Sequence, residues 1–516
     1  MSPRLQAAFD RLPEYLGWHV ALSLSALALG LAISLPLAVA ASRSPRLRWP
    51  VLALASLIQT IPSLALLALF YPLLLALSAL SEAVLGHGFS ALGFLPSLLA
   101  LTLYSILPIL RNGVAGITGV DPAVTQAADG VGMTSRQKLF KVELPLAAPV
   151  IMAGVRTAAV WTIGAATLST PVGQTSLGNY IFAGLQTENW VFVLFGCAAS
   201  AALALSADQL LGLVELGARR RSRLLAGGGL AGLVAGAALA LAPLVGFGEP
   251  SAYVVGAKNF SEQYILAEMM ADRLEATGAR VSRKEDLGSA VAYRALAAGE
   301  IDVYVDYSGT LWSNVLRRTD NPGRKAVLKG LTDELARRDG VLVLGPLGFE
   351  NAYAFAMRAD RAAALHVRDL GDLARASQGL TLGTDIEFLS RPEWKAVDAA
   401  YGFRFRDKRV FQPTFMYRAL ASGDADVISA FSSDGRIAAD NLVVLADPKG
   451  ALPPYDAVIL VSPKHAHDRR LLSALEPLVG AISVEAMRDA NLSVDRDAGK
   501  VTPAEAARAL EARIRR

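Results

Sequence analysis

Nothing constrains this chain more than six apolar stretches in its first 245 residues, near 18–41, 51–79, 94–110, 147–168, 190–215 and 224–246. A helix that crosses roughly 30 Å of hydrocarbon needs about 20 predominantly apolar residues. Inside lipid every backbone N–H and C=O must be paired within the segment, which leaves the helix as the natural form for each stretch. A polytopic α-helical membrane domain is therefore predicted. The first stretch is too long for a cleavable leader and is expected to stay in the bilayer. In the fourth, Arg156 and Thr162 interrupt the apolar run and Thr167-Leu-Ser-Thr-Pro171 closes it. Such residues survive at membrane depth only against protein, so one side of that helix is expected to face inward.

Short loops rich in Lys and Arg prefer the cytoplasm. Arg43, Arg46 and Arg48 follow the first stretch, Arg219, Arg220, Arg221 and Arg223 separate the fifth from the sixth, and the loop 80–93 carries Glu82 but no Lys or Arg. Counting crossings from these loops puts the N-terminus outside, the 111–146 segment inside and everything after Phe247 outside. The inner segment carries helix marks. Asp121-Pro122 can cap and start a helix, Gly130 and Gly132 can end it, and Thr134-Ser135 can start another turn before Pro145. Two short helices with a glycine corner are predicted, an element fit to dock into a groove on a cytoplasmic partner.

That segment also carries a family resemblance. Gln126-Ala127-Ala128, then Gly132, then Val142-Glu-Leu144-Pro145 resembles the EAA coupling loop of ABC importer permeases, with Gln126 where the family usually has Glu. Thr175-Ser-Leu-Gly-Asn-Tyr-Ile181-Phe182 resembles the glycine-bearing outer loop of osmolyte-importer permeases. The resemblance implies a type I ABC importer permease over 1–217, with a coupling loop at about 121–146 and 218–250 as a sixth transmembrane helix and linker. It also implies a cytoplasmic ABC ATPase dimer gripping two copies of the loop. One permease with about five core spans does not enclose a pore alone, so a homodimer in membrane lipid is expected.

From Ala252 onward, short β-rich runs alternate with helical ones, as in Tyr253–Ala257 followed by Ser261–Ala276, and Ile301–Asp306 followed by Gly309–Leu316. That alternation predicts parallel α/β layers. About 265 residues suit two lobes with a cleft better than one sheet. Chain crossings are expected near 355 and 458, giving lobe I over about 251–355 and 459–516 and lobe II over about 356–458.

The blocks "VVGAKNFSEQYILAEMMADRLE", "AGEIDVYVDYSGT", "GFENAYAFAMR", "LGTDIEFLSRPEW", "ALASGDADVISAFSSDGRI" and "LPPYDA" together resemble the quaternary-amine-binding proteins of osmoprotectant importers, over about 251–516. The resemblance implies a periplasmic-binding-protein fold outside a bacterial cytoplasmic (inner) membrane. A trimethylammonium group donates no hydrogen bond and carries a diffuse charge, so its capture relies on aromatic faces. The resemblance places such a cage at Tyr307, Tyr353, Phe431 and Tyr455, with Phe431 where tyrosine is common. For the carboxylate of a betaine it points to Lys258, Thr310 and Arg391, with Gln263 and Ser289 as further polar contacts.

Other functions find less support in the residues. The net charge is +4 and no dense basic face appears, so nothing argues for nucleic acid. One cysteine, Cys197, gives neither a disulfide framework nor a thiolate metal site, and His465 and His467 lack a third ligand nearby. No G-x-x-x-x-G-K-S/T loop occurs, so no nucleotide cofactor is expected in this chain, with ATP and Mg on the partner ATPase. The expected function is the fused permease and substrate-binding subunit of an ATP-driven importer of glycine betaine-type osmoprotectants. Ergothioneine, choline or carnitine specificity is the alternative within that architecture, and a membrane-anchored quaternary-amine sensor is the alternative outside it.

Overall fold

The computed structural model describes every residue except 1–2, 86–88, 188, 246–251, 319, 386–387, 412, 497–498 and 516. The chain divides into two compact units, Met1–Ile181 with Val191–Pro250, and Ser251–Arg516 with Phe182–Trp190.

Among the described residues of the first half, six helices are long and apolar enough to cross a membrane: Arg4–Arg43, Ala65–Leu85, Phe94–Thr118, Ser135–Val172, Trp190–Arg220 and Arg223–Leu244. The first begins well before the expected 18. The second expected stretch, 51–79, is not one helix but two, Pro45–Thr60 and Ser63–Leu85. Proline drives the residue before it out of the helical region, and Ile61, just ahead of Pro62, sits at φ −72° and ψ 127°. The Ile61 carbonyl accepts a hydrogen bond from the Tyr104 hydroxyl.

Phe94–Thr118 packs against both the first helix and Leu144–Ala166. Small residues allow the close approach. A Cβ on Gly30 would lie 1.8 Å from Ser105 Oγ, and one on Gly154 would lie 2.6 Å from Asn112 Cβ. Arg156 is answered from the fifth span: its guanidinium forks onto Asp208 with two bonds of 2.9 Å and reaches Glu215 at 2.8 Å. Thr162 is buried.

The 121–146 segment forms the helix Pro122–Gly130, whose N-terminal N–H groups are met by the Asp121 side chain accepting from Ala123 N at 2.8 Å. Gly132 turns the chain at φ +76°, a left-handed conformation that suits glycine. Thr134 and Gln137 then form a reciprocal capping box that starts Ser135–Lys138. The helix does not stop before Pro145 as the sequence suggests. It widens into a π-helical turn over Leu139–Glu143, with Leu144 N bonded back to Leu139 O, and runs on into Leu144–Ala166. Proline clashes with the carbonyl four residues earlier in a regular α-helix, and the wider turn relieves that conflict.

Among its described residues, the second unit holds two five-stranded sheets. Its strands are β1 (Tyr253–Lys258), β2 (Val281–Leu287), β3 (Val303–Tyr307), β4 (Leu342–Glu350), β5 (Tyr353–Arg358), β6 (Thr381–Thr384), β7 (Asp407–Val410), β8 (Val427–Phe431), β9 (Leu442–Val444) and β10 (Asp456–Val461). The first sheet runs β2-β1-β3-β10-β4 and the second β7-β6-β8-β5-β9. Neither is wholly parallel. β10 is antiparallel to β3 and β4, and β5 is antiparallel to β8 and β9. Those are the strands that carry the chain from one sheet to the other, and each enters its new sheet from the opposite end. The crossings fall between Glu350 and Tyr353 and between Val444 and Asp456. Residues 353–355 therefore belong to the second lobe and 456–458 to the first, a few residues off the expected boundaries, because alternation along a strand does not reveal which sheet it joins.

β3 and β10 are buried along their whole length, as central strands covered on both faces must be. The helices Val484–Asp495 and Pro503–Ile514 return to the first lobe and pack on Ser261–Ala276.

Candidate ligand-binding site

Strand ends facing the gap between the two lobes deliver the aromatic side chains. Tyr307 ends β3, and Tyr455 lies on the chain that leads into β10, the strand paired with β3 through Tyr307 and Ala457. Tyr353 opens β5 and sits directly opposite Phe431 at the end of β8. All four rings line one cavity of about 210 Å³. The Tyr353 ring centroid is 5.0 Å from that of Phe431 and 5.8 Å from that of Tyr455. On the other side Phe260 stacks against Tyr307 at 6.1 Å and also lines the cavity.

Of the polar residues expected here, Lys258, Ser289, Thr310 and Arg391 line the same cavity. Gln263 does not. It sits behind the wall, where its Nε2 donates to the Tyr307 hydroxyl at 2.9 Å and its Oε1 accepts from Lys258 N. Helix periodicity explains the difference, since a one-residue step along Ser261–Ala276 turns the side chain by about 100° and brings Glu262 to the cavity instead.

Each cation already has a resident carboxylate. Lys258 Nζ is paired with buried Asp306 and lies 5.3 Å from the Tyr307 ring centroid. Arg391 is paired with Glu393 at 3.2 Å, reaches Thr310 Oγ1 at 3.4 Å and lies 5.2 Å from the Tyr353 ring centroid. Burial opposes its charge, but Tyr353, Tyr455 and Glu393 outweigh that and hold its pKa above the ordinary arginine value. Arg436 pairs with Asp434 at 2.9 Å. A ligand carboxylate would therefore share these cations with protein acids.

Among the polar residues that the sequence reading missed, Glu262, Asn351, Asp434, Arg436, Asn491 and Asp495 line the cavity, and Glu393 is held on Arg391. Glu262 accepts from the Tyr307 hydroxyl at 2.5 Å, from Asn351 Nδ2 at 3.1 Å and from Asn491 Nδ2 at 3.0 Å. Burial pushes its pKa up, against the pull of those donors and Ser433. The Tyr455 hydroxyl donates to Glu393. Glu262, Asn351 and Glu393 lie inside blocks already singled out, next to residues expected in the site. Asn491 and Asp495 come from a late helix outside every block, and no local signal marks them.

Nearer the N-terminus, the residues expected to form a coupling loop divide by exposure. Gln126, Ala127, Gly132 and Pro145 are exposed, Leu144 is half-buried and Ala128 is buried. Val124, Val131 and Phe140 add exposed apolar surface. Lys138 Nζ binds both oxygens of Asp129, at 2.7 and 2.9 Å, and ties the two short helices together. Buried Glu143 is gripped by Arg43 from the end of the first helix, through one bond of 2.9 Å and a second, shorter one.

Two sheets about a cleft on one half and a helical membrane body on the other define an importer subunit of the binding-protein-dependent class. Residues 30–220 match the inner membrane component of binding-protein-dependent transport systems, and residues 251–510 match the substrate-binding domain of the ABC-type glycine betaine transport system. The chain belongs to this family, with a permease fused to its substrate-binding domain. It is 30% identical over 463 residues to the ergothioneine transport permease/ergothioneine binding protein EgtU of Helicobacter pylori (strain G27), covering 86% of this chain and 80% of that one. It is 39% identical over 197 residues to the choline transport system permease protein OpuBB of Bacillus subtilis (strain 168), covering 38% of this chain and 83% of that one. A solved glycine betaine/carnitine/choline ABC transporter structure shares 27% identity at a TM-score of 0.45, over 51% of this chain and 98% of that one. A permease of this family is a membrane protein, takes a small-molecule substrate and works with an ATPase partner.

Proposed function

We propose that this chain captures a zwitterionic quaternary-ammonium compound of the glycine betaine type outside the bacterial inner membrane and passes it inward through a homodimeric pore. The observation that carries this reading is the convergence of Tyr307, Tyr353, Phe431 and Tyr455 from both lobes on one cavity. Ring faces attract a methylated cation by about 0.5–2 kcal/mol each. A cage divided between lobes is complete only when the lobes come together, so ligand binding favours closure. Lys258, Thr310, Arg391 and Ser289 take the ligand carboxylate, with Gln263 supporting Tyr307 from behind. The names of the relatives, which cover choline, carnitine and glycine betaine, agree with this class of ligand.

The segment 121–146, with Gln126, Ala127, Ala128, Gly132, Leu144 and Pro145, docks on a cytoplasmic ATPase dimer. ATP and Mg are bound there, so this chain needs no ATPase site of its own. Exposed Val124, Val131 and Phe140 give the docking face its apolar contact.

Ergothioneine is the second reading, favoured by one observation: the relative aligned along both halves of this chain carries that name. A thermal-shift panel on the full-length chain in detergent, with glycine betaine, choline, carnitine and ergothioneine, tests both. Stabilisation by a quaternary amine, lost in Tyr307→Ala, is expected. No shift with any of the four would refute the ligand class.

A further inference from the structure

Two of the cage tyrosines share an arrangement that ring packing does not require. Tyr307 donates its phenolic proton to Glu262 at 2.5 Å, and Tyr455 donates its own to Glu393. Both carboxylates are buried and both are held in place from several sides. Asn351 and Asn491 fix Glu262. Arg391, at 3.2 and 3.3 Å, and Ser313, at 3.0 Å, fix Glu393. Glu262 reaches the cavity wall already tethered by these donors, and Glu393 is held by Arg391 and Ser313.

We infer that Glu262 and Glu393 are positioning residues that act through Tyr307 and Tyr455, making these two ring faces more electron-rich and so setting the cavity's preference for a cation over a neutral group of the same shape. This rests on the quaternary-amine reading above. Three donors converge on Glu262 and the Arg391 guanidinium sits on Glu393, surroundings that favour the ionised acid against burial; a hydrogen bond from a hydroxyl to an ionised carboxylate is short and strong, and it polarises the donor in a low-dielectric interior. Electron density drawn toward the phenolic oxygen passes into the ring, and attraction of a cation depends on that density. Burial first, followed by Glu262 at Tyr307 and by Glu393 against the pull of Arg391 at Tyr455, pushes the pKa of each phenol well above its usual value near 10. The proton therefore stays on the tyrosine, and the site keeps a neutral, enriched ring instead of a tyrosinate. Phe431 and Phe260 carry no hydroxyl and supply shape and unassisted ring faces.

Isosteric pairs, measured by calorimetry on the full-length chain in detergent, test this. Choline is compared with 3,3-dimethylbutan-1-ol, and glycine betaine with 3,3-dimethylbutanoate; each neutral tert-butyl group replaces the trimethylammonium. In Glu262→Gln, which keeps an acceptor for the phenol, affinity for the cation is expected to fall about tenfold, with less than about a twofold change for its isostere. In a double-mutant cycle with Tyr307→Phe, the two changes are expected to be non-additive by about threefold or more, since both remove one interaction. The Tyr455→Phe and Glu393→Gln pair provides a second, independent arm. Equal losses for cation and isostere, full additivity, or unchanged cation affinity in both arms would overturn the inference while leaving the ligand class intact. A wild-type chain that binds neither cation would sink the ligand class itself, and this inference with it.

Discussion

Arg391 shows how far a single residue can be read before the fold is known. Its expected place at the ligand carboxylate follows from the resemblance, and the structure puts it on the cavity wall with its fork already on Glu393. Because a choline has no carboxylate, Arg391→Ala is expected to weaken glycine betaine by about tenfold or more and choline by much less; an equal calorimetric loss for both would remove the carboxylate role. Asp286 gives a prediction in pH. Burial first, helped by the charge of Glu285 and opposed by Tyr264, pushes its pKa up to about 7. Its folded-state pKa thus exceeds the unfolded one, so its contribution to stability is fully present below about pH 4 and is lost as pH rises through about 7. Asp286→Asn suits its φ of +65°. Relative to wild type, the variant's Tm is expected to rise by several degrees from about pH 5 to about pH 8; a constant difference would contradict the shift. Most of the aromatic residues that line the cavity were legible because they sit in strand-end blocks. Glu262 and Asn491 were not, since each is placed by a helix whose rotation the sequence leaves open.

At the level of elements, the apolar runs located the membrane helices, and the helix signals located the two short helices of the 121–146 segment. Two features escaped. The break at Ile61–Pro62 lies inside a run that hydropathy alone reads as continuous. The pair of Arg43 with Glu143 joins residues 100 positions apart, and no local pattern reports such a contact. This pair ties the 121–146 segment to the first helix, so if that segment docks on the ATPase as proposed, the pair lies on the route by which ATPase motion reaches the membrane. Arg43→Glu is expected to uncouple ATP hydrolysis from ligand in a reconstituted complex while ligand affinity stays within about twofold, and Arg43→Glu with Glu143→Arg should restore coupling. Recovery absent from the swap, or loss of binding in the single variant, would refute the link. The triad of Arg156, Asp208 and Glu215 was half legible. The sequence called for a protein-facing Arg156 but could not name partners 52 and 59 residues away.

For the whole molecule, fusion puts a binding domain and a permease in fixed one-to-one proportion. Two permeases about one pore would then bring two cavities to every transporter. Light scattering on the detergent-solubilised complex with its ATPase is expected to give two copies of this chain per particle, and one copy would contradict the homodimer. Capture by this chain depends, as proposed, on a methylated cation held by ring faces. The most direct measurement is a cryo-EM structure of the full-length chain with its bound quaternary amine. The predicted result is a quaternary nitrogen within about 6 Å of the centroids of at least three among Tyr307, Tyr353, Phe431 and Tyr455. A nitrogen held away from those rings, by carboxylates or water, would contradict it.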